Sequence, residues 1–145
     1  MSLLRAVIDT NVVFEGLTKQ GGAAGLVVDA WLNGLFTACV STAVAYEYVD
    51  VLQRKLGVPK WTAASPTLAT LLACAEATTL YYSWRPRSPD PGDDFMIDCA
   101  MNADALLVTA NKKDFRAAEQ SLGLPVLSPA EFVSLLATRL TQPRT

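Results

Sequence analysis

The chain opens on a short apolar run, residues 4–8, interrupted only by Arg5 and ended by Asp9. Comparable runs recur at 36–40 and 105–109, with no polar alternation. That is the mark of strands covered on both faces, as in a parallel sheet. Residues 78–84 are β-branched and aromatic and predict a third strand of the sheet. Pro125-Val126-Leu127 predicts a fifth, short one.

Helical spacing fills the intervals. Leu26, Val27, Ala30 and Trp31 lie on one face of a predicted helix over 23–33, opened by Gly21-Gly22 and ended by Gly34. Ser41 is placed to cap a helix to about Lys55, and Gly57-Val58-Pro59 breaks the chain. Ser65-Pro66 has the cap-plus-proline form of a helix start, with the helix running to about Ala75. Further helices are predicted from Asp93-Asp94 to about Ala103, from Asp114 to Leu122-Gly123, and from Ser128-Pro129 to about Leu140. Residues 85–92 carry three prolines and read as a loop. Residues 141–145 read as a frayed tail behind one domain over 1–140.

Strands alternating with helices predict an α/β fold, a three-layer α/β/α sandwich around a central parallel sheet of about five strands. Ligands of such sheets gather beyond the carboxyl ends of the strands. Asp9 stands at that end of the first strand. Desolvating a carboxylate costs several kcal/mol unless a hydrogen bond, a basic partner or a metal offsets it.

Composition narrows the chemistry. With 145 residues, 51% of them hydrophobic, the chain suffices for a substantial core. The net charge of −2 argues against nucleic-acid binding by bulk electrostatics, so any such contact must be local. There is no histidine, which excludes His-containing triads and His-based zinc sites. Cys39, Cys74 and Cys99 are odd in number and widely spaced, and read as free thiols of a reducing cytoplasm. No apolar run reaches the roughly 20 residues needed to cross a bilayer.

Six acids and one amide then form a pattern. Asp9 could be a simple turn cap. Glu47 borders the face formed by Val44, Tyr48, Val51 and Leu52, and two readings stay open for it: a rim residue or one reaching inward. Asp93 and Asp94 suit a helix N-terminus. Asp94 and Asp98 are four residues apart, about 6 Å on one helix face, where like charges repel; a cation would relieve them. Asn111 and Asp114 follow the strand at 105–109, and Asp114 is also a natural N-cap. Parallel strands would gather these groups at one edge. An all-oxygen set without His or Cys suits Mg2+ or Mn2+.

The motifs Val7-Ile8-Asp9-Thr10-Asn11, Ser41 followed by Glu47-Tyr48 and Val51-Leu52, Asp90 to Ala100, and Leu107 to Phe115 together resemble the PIN domain. The resemblance spans nearly the whole chain. It is closest to small prokaryotic single-domain PIN proteins, often VapC-like toxins of toxin–antitoxin pairs. It implies a metal-dependent endoribonuclease with Mg2+ or Mn2+ as cofactor, RNA as substrate and a cognate antitoxin as partner; the apolar composition, with Leu and Val in many helices, separately points to a homodimer. By position Asp9, Glu47 and Asp94 match the family's principal acids, and Asp98 a further acid. Asn111 stands where many relatives have Asp, which implies reduced activity or a looser metal site. Thr10, Asn11 and Thr109, with Asn111 and Asp114, are candidates for orienting carboxylates or phosphate. Arg85, Arg87, Lys112, Lys113 and Arg116 are candidates for RNA contact, and Trp84 for base stacking.

Two other functions compete. One is a non-catalytic PIN-like module that binds RNA or protein, an alternative kept open by Asn111. The other is a phosphatase with Asp9 as nucleophile, disfavoured because no Asp-x-Asp pair follows the first strand.

Overall fold

The computed structural model describes residues 3–19, 21–83 and 91–141. Five strands, β1 (Arg5–Ile8), β2 (Thr37–Val40), β3 (Glu76–Ala77), β4 (Leu106–Val108) and β5 (Val126–Leu127), form one parallel sheet in the order β3-β2-β1-β4-β5. The helices are α1 (Thr10–Thr18), α2 (Gly22–Leu32), α3 (Thr42–Cys74), α4 (Pro91–Ala103), α5 (Arg116–Leu122) and α6 (Pro129–Thr141). Helix α4 covers β1, β2 and β4. Helix α1 packs on α2 and α3, and α2 packs on α6, completing the α/β/α sandwich expected from the alternating pattern.

The apolar runs are buried because both faces of the sheet are covered. Ala6, Val7 and Ile8 of β1, and Leu107 and Val108 of β4, are at most 1% exposed. An aromatic cluster holds the α2–α3–α6 layer. Trp31 meets Phe36 and Tyr48 edge-on, and Phe36 meets Phe132 at 4.9 Å between ring centroids. The indole Nε1 of Trp31 donates to the Leu71 carbonyl at 3.0 Å, so this ring's polar edge is also satisfied.

Several boundaries differ from expectation. Helix α1 follows β1 with no intervening loop and was not evident in the pattern. The break at Gly57 is present as a kink, with φ 71°, inside the long α3. The following helical segment begins there rather than at Ser65, and it runs through Pro66, whose carbonyl accepts from Thr70 Oγ1. The third strand is two residues, Glu76–Ala77, not 78–84. Beyond it only Thr78 N reaches back to the Val40 carbonyl, and the side chain of Asn102 on α4 binds the backbone of Tyr81 and Tyr82. Asp114 lies within a 3-10 turn, Lys112–Phe115, its N–H donating to the Asn111 carbonyl, so α5 begins at Arg116 rather than at Asp114. The start of α6 is a reciprocal capping box: Glu131 N donates to Ser128 Oγ, and Ser128 N to Glu131 Oε1. No described helix is long and apolar enough to cross a membrane.

Candidate active site

The parallel register creates the site. Ile8 and Val108 are partners in neighbouring strands, so the next residues, Asp9 and Thr109, emerge side by side at the carboxyl edge. The sheet order reverses direction here, since β1 continues to β2 on one side and has β4 on the other. This is where open α/β sheets form a crevice. Asp9 is still tied to the sheet, its N–H donating to the Val108 carbonyl at 2.9 Å. Its carbonyl already accepts from Val12 and Val13 of α1.

The carboxylate of Asp9 is only 6% exposed. Oδ1 accepts from Thr10 N at 2.8 Å and Oδ2 from Thr109 Oγ1 at 2.7 Å. Thr109 is fully buried, and its hydroxyl oxygen in turn accepts from Asn111 N at 3.0 Å. Thus Asp9, which the sequence offered as a turn cap or a charge needing compensation, is the N-cap of helix α1 and a carboxylate held at both oxygens. The two readings describe one geometry.

Glu47 comes from α3. That helix is fixed to β1 by Tyr48, whose buried hydroxyl donates to the Ile8 carbonyl. Burial, and secondarily the nearby Cys99, Asp9 and Cys39, hold the phenol well above its ordinary pKa. Tyr48 therefore stays a neutral donor. The third wall comes from the start of α4. Together Asp9, Thr10, Asn11, Glu47, Val51, Arg54, Lys55, Gly92 and Asp93 enclose a cleft of about 320 Å3. Thr10 Oγ1 is buried with no hydrogen-bond partner.

The expected residues thus divide. Asp9, Thr10, Asn11 and Glu47 line one cleft, and Glu47 faces inward to it. Asp93, rather than its neighbour Asp94, completes the described lining. Asp94 is half-buried, with Oδ1 away from solvent, and Asp98 is 4% exposed one turn further along α4. Thr109 acts behind Asp9. Asn111 and Asp114 do not line the cleft, and neither do Lys112, Lys113 and Arg116, which are exposed. Lys112 pairs with Glu131 at 3.0 Å. Arg85, Arg87 and Trp84 lie outside the described residues. Among the described residues no three acidic or thiol side chains stand together as a ready metal cage. The available donors are oxygens of Asp9, Glu47 and Asp93, with hydroxyl and amide groups beside them.

Arg54 and Lys55 were missed as site residues. The signal was present: Glu47, Val51, Arg54 and Lys55 recur at helical spacing and so continue the stripe that carries Glu47.

A cleft at the switch point of a 3-2-1-4-5 parallel sheet, floored by a carboxylate following the first strand, defines the class. The PIN-domain family model matches residues 5–113, and the chain belongs to that family. Solved structures share the fold at low identity. VapBC2 from Rickettsia felis, bound to a DNA fragment from its promoter, gives a TM-score of 0.62 at 15% identity, over 86% of this chain and 98% of that one. VapBC-1 from nontypeable Haemophilus influenzae gives 0.59 at 13%, over 88% and 99%. PAE2754 from Pyrobaculum aerophilum gives 0.58 at 15%, over 93% and 90%. No curated protein matches the chain by sequence.

Proposed function

We propose that this PIN domain is a metal-dependent endoribonuclease that hydrolyses RNA phosphodiesters, acting in the cytoplasm as the toxin of a toxin–antitoxin pair. The observation that carries the reading is Asp9, a buried carboxylate held by Thr10 N and Thr109 Oγ1 at the floor of a cleft shared with Glu47 and Asp93. Mg2+ commonly takes one or two carboxylates and keeps several waters. The carboxylate oxygens of Asp9, Glu47 and Asp93 and the unsatisfied Thr10 hydroxyl fit that demand without a closed cage. In this reading Asp9 and Glu47 hold Mg2+ or Mn2+ with the acids of α4, Asp93, Asp94 and Asp98. The bound ion supplies a lowered water pKa and neutralises charge at the phosphoryl group. Glu47 orients the attacking water, Thr109 keeps the Asp9 oxygens aimed at the cleft, and Asn11 offers an amide to phosphate.

The structural relatives include toxin–antitoxin complexes, VapBC2 and VapBC-1 among them, which supports a cognate antitoxin as partner. The free thiols accord with a reducing compartment. Exposed Tyr46, Tyr81 and Tyr82 accord with a homodimer. A second reading, a non-catalytic RNA- or protein-binding module, draws on Asn111, a neutral residue where an acid would strengthen metal binding. Cleavage of single-stranded RNA by wild type, Asp9→Asn and Asp94→Asn, with Mn2+ or with chelator, separates the two. Mn2+-dependent cleavage lost in Asp9→Asn is expected. A wild type that neither binds Mn2+ nor cuts RNA removes the enzyme reading.

A further inference from the structure

The cleft carries charges of both signs. Asp9, Glu47 and Asp93 line it together with Arg54 and Lys55, which follow Glu47 by about two turns of α3. Along α3 the rise of 1.5 Å per residue separates Glu47 from Arg54 by about 10 Å.

Both cations are exposed yet directed by neighbours. Arg54 Nε donates to Asp50 Oδ2 at 3.1 Å, one helical turn back. A guanidinium carries five N–H donors, so one carboxylate does not exhaust it. Lys55 Nζ lies 5.2 Å from the centroid of the Phe14 ring on α1, and an ammonium with three N–H donors is not exhausted by one ring face. On the opposite side of the site, Lys112 is engaged with Glu131 and does not line the cleft.

We propose that Arg54 and Lys55 form a backbone-phosphate subsite that directs a single-stranded RNA along α3, away from the carboxylates, rather than over the turn that follows β4. The inference rests on the nuclease reading and gives it a direction. The scissile phosphate lies beside the carboxylates, and a neighbouring phosphate of the same strand is gripped by Arg54 and Lys55. This arrangement also reconciles RNA binding with a net charge of −2, since two local cations replace a basic surface.

The test is salt-dependent binding of a short fluorescein-labelled oligouridylate, read by fluorescence anisotropy in an Asp9→Asn background that withholds cleavage. Each phosphate contact to a single strand contributes about 0.7 to the slope of log affinity against log salt, so Arg54→Gln/Lys55→Gln should flatten the slope by about 1.4. A fourfold rise in salt then costs the Asp9→Asn parent roughly sevenfold more affinity than the subsite variant. Lys112→Gln/Lys113→Gln should leave the slope as it is, and Arg54→Lys with Lys55 intact should retain it. Equal slopes with and without Arg54 and Lys55, or an equal loss in the Lys112/Lys113 pair, overturn the subsite. Wild-type protein assayed in parallel with Mn2+ keeps the outcomes distinct: no cleavage there counts against the nuclease reading, whereas cleavage with unchanged slopes counts against the subsite alone. Thermal melts confirm that the exposed substitutions leave the fold intact.

Discussion

The hydroxyl of Tyr48 donates to the carbonyl of Ile8, the last residue of β1. One hydrogen bond thereby fastens the helix bearing Glu47 to the strand bearing Asp9. Tyr48→Phe keeps the ring and its edge-on contact with Trp31 but leaves the Ile8 carbonyl short of this donor. The expected loss is about 1–3 kcal/mol, seen as a lower urea midpoint at constant m. RNA cleavage should fall in the same variant at temperatures where it remains folded. An unchanged midpoint and rate would show that α3 is fixed by packing alone.

Thr109→Val removes the hydroxyl that binds Asp9 Oδ2 while preserving a β-branched shape in a fully buried position. Partners of metal-binding carboxylates typically account for 10–100-fold in metal affinity. Mn2+ titration by calorimetry should show a loss of about that size, roughly 10–100-fold. Thr109→Ser should restore most of it. Wild-type affinity in the valine variant would remove Thr109 from the site.

The close approach of α1 and α2 depends on Gly16. A Cβ there would meet Val28 Cγ2 at 2.3 Å and the Ala24 carbonyl oxygen at 2.8 Å. The backbone oxygen cannot step aside as a side chain can. Gly16→Ala should therefore destabilise by about 1–3 kcal/mol despite its better helix propensity. A stabilised variant would mean that the two helices sit farther apart.

Cys39 sets a pH limit on stability. Burial raises its thiol from 9.0 to about 11, against the opposing pull of the Arg5 charge. The folded protein keeps this proton when the unfolded chain has lost it. The contribution is thus complete below about pH 9 and declines as pH rises toward 11. The stability difference between wild type and Cys39→Ala, from denaturation curves at pH 8 and 10.5, should shrink at the higher pH. A difference that is constant across this range would place the thiol in contact with water.

Much of this was legible in the chain. The buried runs at 4–8, 36–40 and 105–109 state their strands because a covered strand needs no polar alternation. Asp9 was legible because a charge next to a buried run demands a reason, whereas the helix pattern left Glu47 open between a rim and an inward position. Helix α1 was not, since its cap is the same Asp9 and its start leaves no loop to mark it. Residues 78–84 have strand-forming side chains, but the strand ladder to β2 is Glu76 and Ala77, with Thr78 N adding one bond to the Val40 carbonyl. The side chain of Asn102 satisfies the backbone of Tyr81 and Tyr82 instead, a long-range contact that local propensity cannot express. Pro66 looked like a helix start and lies inside one, because the kink at Gly57 had already restarted the helix. The choice between Asp93 and Asp94 as lining residue depends on the rotation of α4 against the sheet, which sequence spacing leaves undetermined.

The register that pairs Ile8 with Val108 has a further consequence in time. Asp9 leaves the ribosome 100 residues before Thr109, the hydroxyl donor to its Oδ2. Strand β1 is central, so its second edge stays open until β4 has emerged. Contacts of such long sequence separation form late. A chain interrupted before residue 109 carries Asp9 and Glu47 but lacks the hydroxyl that holds Asp9 Oδ2, so the site is completed only after Thr109 has emerged.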